Sequence, residues 1–359
     1  MGGLLSKEPP DLDSMFNKFE KTDSKSLLKK HLTRQLFELL KTRRTGLGAT
    51  LLDVARSGLM NPDSVVGVYV ADAESLTVFA ELFDPIIGDY HQGFSSRSVH
   101  PAKSWGNLNA IGDLDPEGKY VVSTRVRVGR SVDGFPLNPR MTAQDYLDVE
   151  GQVAVTLSTL EGELQGEYMS LSTIGKARRK ELVNRHLRFK EGDRFQAAAN
   201  ACRFWPRGRG IFLNSDCTFL VWCNEEDHLR IISMQPGGDL GQVYRRLAAA
   251  VDTIGGSLGF ARHPRLGYVT FCPTNLGTGL RASVHVRLPR LAADRARLEQ
   301  VATEHDLQVR GTRGEHTKAE GGVYDVSNKR RLGVTEFQAV EVVQKGVLAL
   351  VSAERALEG

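Results

Sequence analysis

Helical periodicity fills the first hundred residues of this chain, and strand-type alternation begins only after them. Residues 26–42 (SLLKKHLTRQLFELLKT) carry apolar side chains at three- and four-residue intervals. Residues 51–59 and 73–87 read as further short helices, with Pro62 and Pro85 as stops. Strand signals follow at 119–130, 209–224, 228–235, 267–273 and 281–289, and helical stretches at 142–162 and 240–254 separate some of them. Helices first and a mixture afterwards predict an α+β protein: a small all-α N-terminal domain plus a larger domain with a mainly antiparallel sheet flanked by helices. The expected boundaries are a tail at 1–11, the all-α domain at 12–95, a linker at 96–118 and the α+β domain at 119–359.

The 359 residues are 41% hydrophobic and 25% charged, the balance of an ordinary folded protein rather than a disordered one. Lys and Arg total 47 against 43 Asp and Glu, a net +4 that implies no nucleic-acid partner. No apolar run approaches the roughly 18 residues of a spanning helix, and the start lacks the apolar stretch of a secretory signal. Cys202, Cys217, Cys223 and Cys272 include no CxxC pair, so neither a zinc ribbon nor a thioredoxin-type site is signalled, and free thiols in a cytoplasmic monomer are expected. MGGLLS fits the N-myristoylation pattern at Gly2, which predicts weak, reversible membrane association, because interleaved acids cancel most of the nearby lysine charge.

No GxxxxGK[ST], GxGxxG, HRD or DFG occurs, which removes Walker, Rossmann and protein-kinase readings. GGSLG at 255–259 matches the GxSxG nucleophile elbow, but it follows a helical stretch, so a turn after a helix C-terminus is the expectation. What remains is a set of arginines on strands. Arg125 and Arg127 are two apart and share a face, as do Arg281, Ser283 and His285. Arg230 begins another strand, and Arg310 opens RGTRGEHT. A single strand arginine is ordinarily solvated, whereas several with apolar neighbours predict a cage. The guanidinium is a permanently charged fork suited to polyphosphate oxygens, so this cage is expected to hold ATP.

Acids and a thiol accompany the arginines. NEEDHLR supplies Glu225, Glu226 and Asp227, and the polar, glycine-rich stretch at 311–325 carries Glu315 and has the composition of a closing lid. Cys272 ends a strand just before Pro273 and Thr274, where a hydroxyl and backbone N–H groups would stabilise a thiolate. Cys202, Cys217 and Cys223 read as buried structural cysteines.

The blocks CPTNLGTGLRASVHVRLP, VVSTRVRVGRS, NEEDHLRIISMQPGGDL and RGTRGEHT resemble the signatures of the phosphagen (ATP:guanidino) kinases, over residues 15–355. The short loop NPDSVVGVY and Tyr90 are similar to the arginine-specific members. Those members usually have glycine where this chain has Val65, and valine disfavours φ > 0. The resemblance implies that the helical domain selects the guanidino substrate and the larger domain binds ATP.

Residue by residue, the resemblance puts ATP on Ser123, Thr124, Arg125, Val126, Arg127, His186 and Arg230. It continues on Arg281, Ala282, Ser283, Val284 and His285, and on Arg310, Gly311, Thr312, Arg313 and Gly314. The guanidinium would meet Glu226, Cys272 and Glu315, with Glu226 as base. Ser64, Val65, Val66 and Tyr69 would hold the amino-acid end, and Asp63 with Arg194 would link the domains. The implied reaction is reversible transfer of the γ-phosphoryl group of ATP to L-arginine, giving ADP and phosphoarginine. Mg2+ would be carried mainly by phosphate oxygens, with no protein metal site. Taurocyamine is the alternative substrate, and a membrane-tethered nucleotide-binding scaffold is a reading of another class.

Overall fold

The computed structural model describes residues 11–185, 187–311 and 321–358. Gly2, His186, Thr312, Arg313, Gly314 and Glu315 lie outside the described residues. Helices α1 (Leu12–Glu20), α2 (Leu27–His31), α3 (Arg34–Leu40), α4 (Leu51–Met60), α5 (Ser75–Val78) and α6 (Ala80–Tyr90) come first. The expected helix over 26–42 is two helices. Leu32 leaves helical geometry (ψ 76°), and the Thr33 hydroxyl accepts from Leu36 N–H to start α3. Pro85 does not stop its helix but lies inside α6, where it forfeits one backbone bond while Leu82, Phe83, Ile86 and Ile87 stay buried around it.

The larger part contains β1 (Val121–Arg130), α7 (Ala143–Ser158), β2 (Gly166–Ser170), α8 (Lys176–Asn184), α9 (Arg194–Ala198), β3 (Gly210–Asn214), β4 (Phe219–Cys223) and β5 (Leu229–Pro236). After these come α10 (Leu240–Ser257), β6 (Arg262–His263), β7 (Gly267–Tyr268), β8 (Leu280–Arg287), α11 (Pro289–Ala293), α12 (Arg295–Glu304), β9 (Leu307–Gly311), β10 (Val323–Asn328) and α13 (Glu336–Arg355). Eight strands form one sheet in the order β2-β3-β4-β5-β1-β8-β10-β9, with every pairing antiparallel. Thr142 with Asp145 and Thr335 with Gln338 make capping boxes that start α7 and α13, each cap being worth about 1 kcal/mol.

Strand alternation divides the sheet into two faces. One packs Val126, Val128, Ala282, Val284 and Ile231 against α7, α10 and α13. The other carries the arginines and a smaller apolar cluster that includes Leu182, Leu187, Phe189 and Ile232. The sequence stretch 209–224 is a hairpin rather than a single strand. The Asn214 side chain accepts from Thr218 and Phe219 N–H at 3.0 and 2.9 Å and turns the chain. In 267–273 only Gly267 and Tyr268 pair as a strand, because later donors are taken elsewhere: Val269 N–H by Ala261 and Phe271 N–H by Asp227. Residues 255–257 of GGSLG are the last turn of α10, and Leu258 caps it, so no strand–turn–helix elbow exists there.

The helical unit's apolar core does not end with that unit. Leu137, Leu266, Val269, Phe271 and Leu332 of the larger part belong to the same cluster as Phe16, Phe37 and Phe83. Among the described residues, no helix is long and apolar enough to cross a membrane.

Candidate active site

The register of β1 assembles the cage. Ser123, Arg125 and Arg127 stand opposite His285, Ser283 and Arg281 of β8. On its other side β1 meets β5, whose Arg230 enters the same face one pair further along, opposite Gly129. A Cβ at Gly129 would collide with the Asp227 carboxylate, so the closeness of these elements requires glycine there.

Charge in this face is poorly balanced. Arg281 donates to Asp325 at 2.7 Å, and Arg230 meets Glu226 at 2.6 Å and Glu225 at 3.0 Å. Arg331 donates to the Thr274 carbonyl and to Asn275 Oδ1 at 3.1 and 2.6 Å. Arg125 and Arg127 have no ion pair among the described residues, and Arg125 Nε is buried without an acceptor. Burial, then the charges of Arg230 and Arg281, pull Arg125 down to about 10. Arg127 is held well below its ordinary value by burial and then by Arg230 and Arg125. Burial likewise pushes the Glu225 carboxyl up despite Arg230.

Two openings meet at this face. The larger, about 490 Å³, runs from Ser123, Arg125 and Arg281 to Ser283, His285 and Asp325, and is closed at its far end by Arg185, Leu187 and the 216–218 hairpin tip. The smaller is a polar hole bounded by Arg127, Arg230, Arg281, Arg331 and Asp227. Cys217 lines the larger cavity. It is half-buried, as is Cys202, which corrects the expectation of buried structural cysteines; only Cys223 fits it.

Glu226 is fixed through its backbone, since Asn138 donates to its carbonyl at 2.6 Å and is itself held by Tyr146 OH at 2.8 Å. Asp227 Oδ1 accepts from Phe271 N–H at 2.7 Å and so ties the acidic segment to the loop of Cys272. Burial, with Glu226 next to it, raises the Asp227 carboxyl to about 7. The Cys272 thiol lies 3.1 Å from Thr274 Oγ1. Burial and Glu226 push it up to about 12, against a smaller opposing effect of Thr274.

The helical unit brings its loop to the same place. Tyr69 stacks on Phe271 with ring centroids 4.2 Å apart, and Val70 N–H donates to the Phe271 carbonyl at 2.8 Å. Leu27 and Leu28 N–H hold the Val65 and Val66 carbonyls, both at 2.9 Å. The left-handed turn falls at Gly67 (φ 85°), so Val65 keeps a negative φ and carries no backbone strain; its side chain is 74% exposed. Ser64 is buried with its hydroxyl unpartnered. Arg194 pairs with Asp63 and donates to Asn61 at 3.0 Å, joining α9 to the loop.

The expected nucleotide residues on β1, β5 and β8 therefore converge, though Val126, Ala282 and Val284 point their side chains into the helix-covered face. Arg310 stands opposite Asp325 in the β9–β10 register, and Gly311 ends β9. Sequence reasoning missed Arg331, Asp325 and the tie through Asp227. Strand alternation in VYDVSN would have found Asp325, whereas Arg331 sits on a loop with no periodic signal.

Residues 148–357 match the model of the ATP:guanido phosphotransferase C-terminal catalytic domain, and residues 22–88 that of the ATP:guanido phosphotransferase N-terminal domain. The chain belongs to this family. It is 60% identical to the arginine kinases of Scylla paramamosain and Callinectes sapidus over 348 residues, covering 97% of this chain and 98% of each relative. The arginine kinase of Schistocerca americana is 59% identical over 347 residues (96% and 98%). Among solved structures, the substrate-free duplicated taurocyamine kinase of Schistosoma mansoni superposes with a TM-score of 0.91 at 41% identity. The match takes in 98% of this chain and 50% of that one, so the chain spans half the length of the duplicated protein. A lombricine kinase superposes with a TM-score of 0.89 at 35% identity, covering 93% of both chains.

Proposed function

We propose that this chain transfers the γ-phosphoryl group of ATP reversibly to the guanidino group of L-arginine, giving ADP and phosphoarginine. One observation carries the reading: Arg125 and Arg281, each with a buried donor left unfilled, line a cavity on the sheet face where Arg230 meets Glu226 at 2.6 Å. Such a cage is destabilising when empty and is satisfied by a polyphosphate. The identity to curated arginine kinases, higher than that to the taurocyamine and lombricine kinases, favours arginine as acceptor.

Phosphoryl transfer leaves the protein mainly alignment and charge neutralisation. In our reading Arg125, Arg127, Arg230 and Arg281 spread over the phosphate oxygens, and Arg331 extends the cage towards the Cys272 loop. Glu226 grips the guanidinium fork and accepts the proton that the attacking nitrogen must lose. A guanidinium bound beside Cys272 places positive charge next to its sulfur, which favours the thiolate that the empty site disfavours. Ser64, Val65, Val66 and Tyr69 then face the amino-acid end. Glu315 and His186 take the roles given by the family resemblance.

Mg2+ fits as part of the nucleotide. Bound to phosphate oxygens, Mg2+ would neutralise their charge. The Gly2 pattern supports a reversible acyl contact with membranes, and intact-mass analysis after co-expression with an N-myristoyltransferase tests it.

An ADP-release assay with MgATP, run in parallel on L-arginine, taurocyamine, lombricine and creatine, tests the function. Selective turnover of L-arginine is expected. Preference for another acceptor would overturn the substrate, and turnover of none in a protein that binds ATP would overturn the activity.

A further inference from the structure

Three carbonyls of the loop at 61–69 are held by one short segment before and at the start of α2. The Pro62 carbonyl accepts from the Ser24 hydroxyl, and those of Val65 and Val66 accept from Leu27 and Leu28 N–H, both at 2.9 Å. Leu27 and Leu28 open α2, so their N–H groups are among those that a helix start leaves without intrahelical acceptors. The loop supplies what the helix start lacks, and the helix start fixes which way the loop's peptides face. In a trans peptide the N–H points opposite to the C=O of the same unit. With the Val65 and Val66 carbonyls turned towards α2, the N–H groups of Val66 and Gly67 are turned away from it, and neither has a partner among the described residues. Two successive N–H groups on one side of a turn make a seat for an anion, such as the carboxylate of an amino acid.

Ser24 closes this arrangement. A hydroxyl has one proton to give and two lone pairs to accept with. Ser24 gives its proton to the Pro62 carbonyl and accepts from Ser26 N–H at 3.2 Å and from the Ser26 hydroxyl at 2.9 Å. The Ser26 oxygen in turn caps α2, accepting from Lys29 N–H at 3.2 Å. Beside this tie the segments 23–25 and 62–65 part to bound a cavity of about 550 Å³, and among the described residues no second donor reaches the Pro62 carbonyl. We propose that Ser24 is a positioning residue for the phosphoryl acceptor. It acts through the loop: by holding Pro62 to the start of α2, it sets how the Val66 and Gly67 N–H groups meet the carboxylate of the guanidino substrate. The inference rests on the arginine acceptor proposed above and adds a residue that governs how tightly its amino-acid end is held.

Steady-state kinetics on the full chain compare the wild type with S24A and S24T. L-arginine is the acceptor, and agmatine, which keeps the guanidinium but lacks the carboxylate, is the competitive inhibitor. S24A is expected to raise the KM for L-arginine about three- to tenfold, the range of one lost hydrogen bond. The kcat, the KM for ATP and the Ki for agmatine should each move less than about twofold. S24T keeps the hydroxyl and should stay within about twofold of the wild type throughout. An unchanged KM for L-arginine in S24A, an equal loss for agmatine, or a KM for ATP that rises in step would overturn the positioning role alone. A wild type that turns over no L-arginine would overturn the acceptor itself, and this inference with it.

Discussion

Replacing Arg125 by methionine tests the idea that the empty cage is held together against its own charge. The guanidinium is buried, has no ion pair among the described residues, and is pulled well below its ordinary value, to about 10. At about 1.36 kcal/mol per unit, that drop corresponds to roughly 3 kcal/mol by which the fold disfavours the charged form. Methionine keeps most of the stem's volume and removes the charge, so Arg125→Met should stabilise the ligand-free protein by up to about 3 kcal/mol. With an unfolding entropy of about 2.1 cal/mol/K per residue, a chain of this length should melt about 4 °C higher. Below about pH 9 the side chain is protonated in folded and unfolded chains alike and the cost falls on the folded one, so the difference should be constant across neutral pH and shrink only as the folded arginine begins to deprotonate. Nucleotide narrows that gap. A lost charge-assisted contact to phosphate, about 1.5–3 kcal/mol, should raise the KM for ATP roughly ten- to hundredfold and shrink the MgATP-induced rise in melting temperature. Scanning fluorimetry with and without MgATP reads both effects. A variant that melts lower when empty yet gains as much from MgATP as the wild type would refute the reasoning.

Glu226→Gln keeps the side-chain shape but removes the proton acceptor, so kcat should fall by about 10²–10⁴ while equilibrium ATP binding stays within a few-fold; near-normal turnover would remove its role. Asp227 is protonated in the fold up to about pH 7 but in the unfolded chain only to about pH 4, so its contribution to stability is full below pH 4 and disappears as pH rises to 7. Asp227→Asn should remove that decline from denaturation curves measured at pH 4 to 8; an unchanged slope would count against the assignment. Gly58 of α4 packs its Cα against the Gly67 carbonyl, and an added Cβ would overlap that backbone. Gly58→Ala should cost about 1–3 kcal/mol and raise the KM for arginine more than that for ATP, as steady-state kinetics would show.

The parts legible in the sequence are those governed by periodicity. Two-residue spacing placed Arg125 with Arg127 and Arg281 with Ser283 and His285, and the antiparallel register then set the two groups opposite each other. Side-chain interception of backbone donors was not legible. Asn214 turned one expected strand into a hairpin, and Asp227 drew Phe271 out of another. Val65 gives a second instance. The resemblance led to the expectation of glycine where this chain has Val65, but whether φ is positive there depends on where the turn closes, and it closes at Gly67. The family motifs supplied the roles of Glu226 and Cys272, which spacing alone could not. The thiol's burial beside a carboxylate is a property of packing that no linear pattern encodes.

The seam at Phe271 bears on how such enzymes diversify. Its ring receives Tyr69, its carbonyl receives Val70 N–H, and its own N–H is spoken for by Asp227. The loop at 61–69 is thus seated on the same three-residue stretch that presents Cys272, and each inherits the other's position. A chimera that imports the loop of a relative with a different acceptor, without the matching seat, would transplant the lock but leave the door frame behind. Acceptor preference in this architecture should therefore drift through paired changes on both sides of the seam.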